Sequence, residues 1–213
     1  TGTTIRNIIM DSSCSFVSFY SGSGSTCIGG IIGQCEGPCT VENTVSIAEL
    51  SFTGSISKYL YIGGVAGYFG APNKEATVKN CANYGSVTHS GLVDDFSSYI
   101  GGTAGYSDGH SVKNIQNCLN YGSINNNGTS SSLYIGGIVG SAGSRASKIE
   151  SCIITGKITS ASNYTGSIIG LIDSGTTITH CYWSSDVGYS KAYGNGNPTV
   201  DTETKQVTID ITT

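Results

Sequence analysis

The chain has 213 residues and 38% hydrophobic content, enough for one continuous core without a second domain. Only 11% of residues are charged, against roughly 25% in ordinary globular domains, while 31 glycines and 13 tyrosines sit among Ser, Thr and Asn. A net charge of −4 offers no basic face to a phosphate backbone, which argues against nucleic acid as a partner.

From the N-terminus the chain repeats itself. The first predicted strand centres on Ile5, ahead of an anchor at Asn7, and the motif Cys27-Ile28-Gly29-Gly30-Ile31-Ile32-Gly33 follows. That motif returns at Tyr61–Gly67, Tyr99–Gly105, Tyr134–Gly140 and, with Ser167 in place of one glycine, Tyr164–Gly170. Between these copies lie anchors at Asn43, Asn80, Asn117, Ser151 and His180, most clearly in Asn80-Cys81-Ala82-Asn83-Tyr84-Gly85-Ser86-Val87 and Asn117-Cys118-Leu119-Asn120-Tyr121-Gly122-Ser123-Ile124.

Aligned on the anchor, the columns hold without gaps. Two residues before it stand Ile5, Val41, Val78, Ile115, Ile149 and Ile178, all β-branched, and one buried column in register is expected. Seven residues after it stand Cys14, Leu50, Val87, Ile124, Ile158 and Val187; five after it come Ser12, Ala48, Gly85, Gly122, Gly156 and Ser185, all small. The column just before the anchor (Arg6, Glu42, Lys79, Gln116, Glu150, Thr179) is polar and should face solvent. Short β-branched segments bounded by Gly and Asn, with variable connectors and no helical stripe, predict an all-β parallel solenoid of about six coils, a right-handed β-helix, over residues 1–196. Residues 197–213 are read as a tail or a terminal strand and cap, with Val200, Val207, Ile209 and Ile211 in alternation.

The segments YIGGVAG, YIGGTAG and YIGGIVG, together with NCANYGSV and NCLNYGSI, resemble the GLUG-motif repeat of large extracellular and surface proteins of bacteria and some anaerobic protists. The closing His180-Cys181-Tyr182-Trp183-Ser184-Ser185-Asp186-Val187-Gly188 is similar to the end of such arrays, although the first and last coils depart from the pattern at Ile8 and Trp183. The resemblance covers residues 1–196. It implies an extracellular scaffold, adhesin-like or appended to a surface enzyme, with no catalytic residue of its own.

Eight cysteines and the sequons at Asn127 and Asn163 fit a secretory route; Asn197 is excluded as an acceptor by Pro198. No apolar run reaches the ~20 residues of a membrane span. The opening at Thr1 without Met reads as a processed or excised chain. Cys81, Cys118, Cys152 and Cys181 share one column and are expected as a reduced inward ladder, with Cys35–Cys39 the favoured disulfide and Cys14–Cys27 a weaker second pair. Cys35 and Cys39 also resemble half a zinc knuckle, but with the wrong spacing and no second pair of ligands.

Tyr61, Tyr99, Tyr134 and Tyr164 could stack sugar rings, or serve simply as a cross-coil aromatic ladder, the reading preferred here. Asn80, Asn83, Asn117 and Asn120 are read as satisfying backbone groups at turns. Acidic residues do not converge as a glycoside-cleaving site requires: Glu42 and Glu150 share a column three coils apart, and Asp94, Asp95 and Asp108 form the one cluster worth inspecting for calcium or catalysis. His89, His110 and His180 fall in different repeats. No catalytic residue, metal or cofactor is assigned. The expected role is a non-catalytic structural or adhesive module at the cell surface, a segment of a longer array or a fibre subunit. Its expected partners are other coils, itself end to end, or surface glycans and proteins, and a carbohydrate-active β-helix enzyme is the alternative.

Overall fold

The computed structural model describes residues 2–70, 74–108, 113–143, 147–172 and 175–208. It is an all-β parallel solenoid whose described helix is one 3-10 turn at Ser185–Val187. A central coil shows the plan. Ala76–Lys79, Ala82–Asn83, Val87–His89, Leu92–Gly101 and Ala104–Ser107 run in succession, each on a different sheet, here numbered 1 to 5. Sheets 1 and 2 are seven strands deep, sheet 5 six and sheet 3 five, and the seven strands of sheet 4 make five layers because its first two coils each contribute two short strands, so the depth departs slightly from the six coils expected.

The β-branched column is in register throughout: Ile5 pairs with Val41, Val41 with Val78, Val78 with Ile115, Ile115 with Ile149 and Ile149 with Ile178. From Val41 onward these side chains are buried. The tail extends the stack: Val200 pairs with Ile178, and Lys205–Val207 lies on Tyr182–Ser184. Ile209 and Ile211 lie outside the described residues.

The column seven residues after the anchor is correct only at its centre. Leu50, Val87, Ile124 and Ile158 are partners, but Phe16 rather than Cys14 lies on Leu50. A turn in which Asp11 accepts from Ser13 N (2.8 Å) and Cys14 N (3.1 Å) takes up two extra residues, while Val187 is buried from the 3-10 turn instead of a strand. The small column is explained by contact between coils: a Cβ on Gly85 would lie 1.9 Å from Ala48 O, and one on Gly122 1.9 Å from Gly85 O.

Every anchor is left-handed. Asn7, Asn43, Asn80, Asn117, Ser151 and His180 have φ between 51° and 59°, a conformation that Asn tolerates better than other residues with a Cβ. The anchor amides also bond one another, Asn80 Nδ2 donating to Asn43 Oδ1 (3.0 Å) and Asn117 Nδ2 to Asn80 Oδ1 (3.1 Å). The ladder stops at Ser151. Ser151→Asn is therefore expected to raise stability by about 1 kcal/mol, through relieved strain and one more amide bond, and the melting temperature by about 2–4 °C in calorimetry. A melting point at or below the parent's would contradict this.

Candidate functional site

The most distinctive surface lies where sheets 4 and 5 meet at the glycine-pair corner. Leu60 and Ile62 point into the core, so Tyr61 between them points out. Tyr61, Tyr99, Tyr134 and Tyr164 are in register, headed by Cys27. Their rings stack at centroid distances of 5.4, 5.3 and 5.2 Å with tilts of 11°, 19° and 28°. A second column, not expected from the sequence, consists of Tyr68 and Tyr106 on sheet 5, stacked at 5.6 Å. It meets the first edge-on, Tyr61 to Tyr68 at 5.3 Å and Tyr99 to Tyr106 at 4.9 Å. Its signal is a Tyr directly after the third glycine of the motif in two of the copies. Gln34, Ser141 and Leu171 interrupt that column elsewhere.

This geometry decides what the tyrosines can do. A sugar stacks on an open ring face, whereas these faces cover one another until Tyr164, which is 38% exposed. Burial, followed by the neighbouring Tyr99, lifts the Tyr61 hydroxyl well above the ordinary range; burial and Asp108 do the same for Tyr68. Both remain neutral hydroxyls at physiological pH, able to hydrogen-bond but not to act as phenolates.

Glu42 bonds Lys79 (2.9 Å) and Glu150 accepts from Gln116 (3.0 Å), so each acidic member of the solvent column is engaged by a neighbour on an adjacent coil. The candidate acidic cluster is not gathered: Asp94 and Asp95 are exposed at an irregularity in Leu92–Gly101, whereas Asp108 is buried after Ala104–Ser107. Among the described residues no group of three or more His, Cys, Asp or Glu is placed to hold a metal. Lys113 is fully buried on sheet 1 in the column of Cys39 and Ala76, its ammonium donating to Lys74 O. Burial lowers its pKa and Asp108 opposes the shift.

His110 lies outside the described residues, and His180 occupies an anchor 3.5 Å from Asp201. His89 is fully buried in sheet 3, with Nδ1 2.7 Å from Asn126 Oδ1 and Nε2 without a partner among the described residues. Burial lowers its pKa from 6.5, and the Asn126 contact offsets this in part. The unfolded chain therefore takes up the proton first as pH falls through 6.5. Stability present above that value should be lost below it, by up to about 1.4 kcal/mol per pH unit. Urea unfolding at pH 7.5 and 5 measures the slope, and His89→Gln should flatten it in that window; an unchanged slope would assign the loss to other groups.

All eight cysteines are free thiols. Cys81, Cys118, Cys152 and Cys181 are buried, each with its sulfur 3.1–3.3 Å from the carbonyl two residues before it, at Lys79, Gln116, Glu150 and Thr179, and 3.6–3.8 Å from one on the preceding coil, at Val41, Val78, Ile115 and Ile149. The four sulfurs also lie within hydrogen-bond reach of one another along the column, Cys81 with Cys118, Cys118 with Cys152 and Cys152 with Cys181. Cys35 and Cys39, the disulfide expected from the sequence, flank one turn as thiols; burial, then a hydrogen bond with Cys35, pushes Cys39 up to about 12. The Cys14–Cys27 pair is not bonded either, Cys27 donating to Gln34 Oε1 (3.6 Å) at the head of the tyrosine column. Eight thiols should titrate in denaturant without reductant, and Cys39 and the four ladder thiols should resist alkylation until unfolding. A count below eight would show an oxidised pair.

Asn127 and Asn163 are both exposed on successive coils at the corner between sheets 3 and 4. No helix among the described residues is long and apolar enough to cross a membrane. Comparison with protein-family models, with curated proteins and with solved structures finds no match in any of the three.

Proposed function

We propose that the chain is a non-catalytic structural or adhesive repeat module of an extracellular or cell-surface protein, working as a segment of a longer array or as a fibre subunit. One observation carries the reading: polar and aromatic side chains that could face a substrate are instead used between coils. The Asn43–Asn80–Asn117 ladder, the Lys79–Glu42 pair and the tyrosine columns each stabilise the stack along its axis. The resemblance to GLUG-motif repeats and the two exposed sequons agree with a surface location.

Incubation with a panel of polysaccharides, followed by assay of new reducing ends, tests it. No release above blank is expected; release that follows the protein through purification would replace this reading with a carbohydrate-active enzyme. Glycan binding has one observation in its favour, a cavity of about 340 Å³ lined by Thr129, Ser130, Ser162, Asn163 and the exposed Tyr164. Tyr164→Ala would abolish such binding and leave the ladder below it intact.

A further inference from the structure

Polar side chains over much of the stack bond between coils, but one corner is an exception. Where sheet 3 passes to sheet 4, three successive coils turn through Thr53-Gly54-Ser55, Ser90-Gly91-Leu92 and Asn127-Gly128-Thr129. Thr53, Ser55, Ser90, Asn127 and Thr129 are exposed, and none of their side chains hydrogen-bonds to another described residue. The glycines answer to stacking: a Cβ on Gly91 would lie 2.3 Å from Gly54 O, and one on Gly128 2.6 Å from Gly91 O, so the middle of each turn is bare backbone.

A cavity of about 480 Å³ follows these three turns, and the cavity of about 340 Å³ that ends at Tyr164 continues it, the two sharing Gly128 and Thr129. Together they form one groove that runs with the solenoid axis. No Lys, Arg, Asp or Glu lines either cavity; the lining is hydroxyl, carboxamide and backbone, with Leu92 45% exposed along it and the open ring of Tyr164 at its far end. A second observation lies beneath Gly128. There the fully buried His89 has its Nε2, without a partner among the described residues, 2.6 Å from where a Cβ on Gly128 would stand. Its Nδ1 holds Asn126 Oδ1 at 2.7 Å, so Asn126, which lines the second cavity, has the N–H groups of its carboxamide left to offer.

We propose that this groove binds an extended, neutral polysaccharide chain, one sugar unit to each coil. Binding sites are concave, with a few placed polar groups that fix orientation. Hydroxyls that both donate and accept, beside carboxamides, match the hydroxyls of a sugar, while a lining without charge has nothing to hold an acidic or basic polymer. Coils stacked about 4.8 Å apart repeat these Ser, Thr and Asn positions at close to the rise of one pyranose in a ribbon-like, equatorially linked chain. An axially linked chain coils and would leave that line. Tyr164 gives the last sugar a ring face on which to stack. The inference rests on the glycan-binding reading above and extends it from Tyr164 along the groove.

Titration calorimetry of the full chain with cello- and chito-oligosaccharides from dimer to hexamer tests it. The chain is produced without N-glycans, because Asn127 and Asn163 both line the groove and a glycan on either would compete. At least one series should bind, with affinity rising about tenfold or more from dimer to tetramer and little beyond; maltohexaose and hexagalacturonate should not bind. Ser90→Arg and Thr129→Arg, each at an exposed turn position, should keep the parent's melting curve and abolish the gain with length, and Tyr164→Ala should lose binding at every length. Binding of neither series, binding of either control as tightly, or a length gain that survives both arginine variants overturns the proposal. Affinity independent of length and lost only in Tyr164→Ala overturns the groove and leaves the site at Tyr164 standing, whereas sugar release in the reducing-end assay would count against the non-catalytic reading alone.

Discussion

Val78→Asp is expected to yield no folded protein. Val78 is fully buried between Val41 and Ile115, and the pairings on both sides fix it facing inward. A carboxylate there has apolar column neighbours above and below, and the nearby polar atoms, such as the carbonyl of Val78 itself, are acceptors already taken by thiols. Ionised, it would be an uncompensated charge; protonated, it would still be an unmatched polar group replacing an isopropyl. The cost, about 5 kcal/mol or more, is comparable with the whole stability of a domain of this size. Ile115→Asp should behave in the same way, whereas Thr77→Asp, one residue along and facing out, should be tolerated. A soluble Val78→Asp protein with a cooperative melt would show that the column is not the core.

Gly102→Ala is expected to cost about 3 kcal/mol or more, the upper end of what overpacking does. Its Cβ would lie 2.2 Å from Asn120 Cγ and 2.3 Å from Gly137 O. The first obstacle is a side chain that could yield, but at the expense of its bonds to Asn83 (2.9 Å) and Gly122 O (3.0 Å). The second is the backbone of the next coil, held by Thr103 N and Ala104 N to Ile138 O at 2.9 Å. Trimming Asn120 to Ala should therefore restore only part of the loss, and chemical denaturation of the single and double variants separates the two contributions. Full restoration would mean that the backbone contact is soft. Ser167 occupies the same position in the fifth copy of the motif because the chain above it is Lys191–Ala192 rather than another glycine pair, and its hydroxyl donates to Tyr189 O at 2.6 Å.

The parallel stack and its central register could be read directly from the sequence, because a β-branched residue recurring at fixed distance from Asn leaves no other consistent face for burial. Other features could not. Cys14 and Phe16 are both apolar and two residues apart, so pattern alone cannot detect the turn at Asp11 that transfers the column from one to the other. Four asparagines hinted at a special anchor backbone, but Ser151 and His180 adopt the same left-handed φ with no compositional signal, compelled by the coils on either side. Tyr68 and Tyr106 could be recognised as a pair only once sheets 4 and 5 were known to meet face against edge. Lys113 runs against the pattern altogether, a cation in an inward column whose neighbours are Cys39 and Ala76.

The central coils repeat at 37 residues, and the amide nitrogens of Asn80 and Asn117 each donate to the side-chain oxygen of the anchor one coil before. Such a period makes length itself a heritable variable. Recombination between two repeats that adds or removes one whole interval returns every column to a partner of its own kind, so the product is taller or shorter by about 4.8 Å but presents no new interior. An insertion of any other size has to be looped out at a corner, as the unequal connectors between sheets show. Genomes carrying such a gene would therefore be expected to differ in coil number sooner than in core composition.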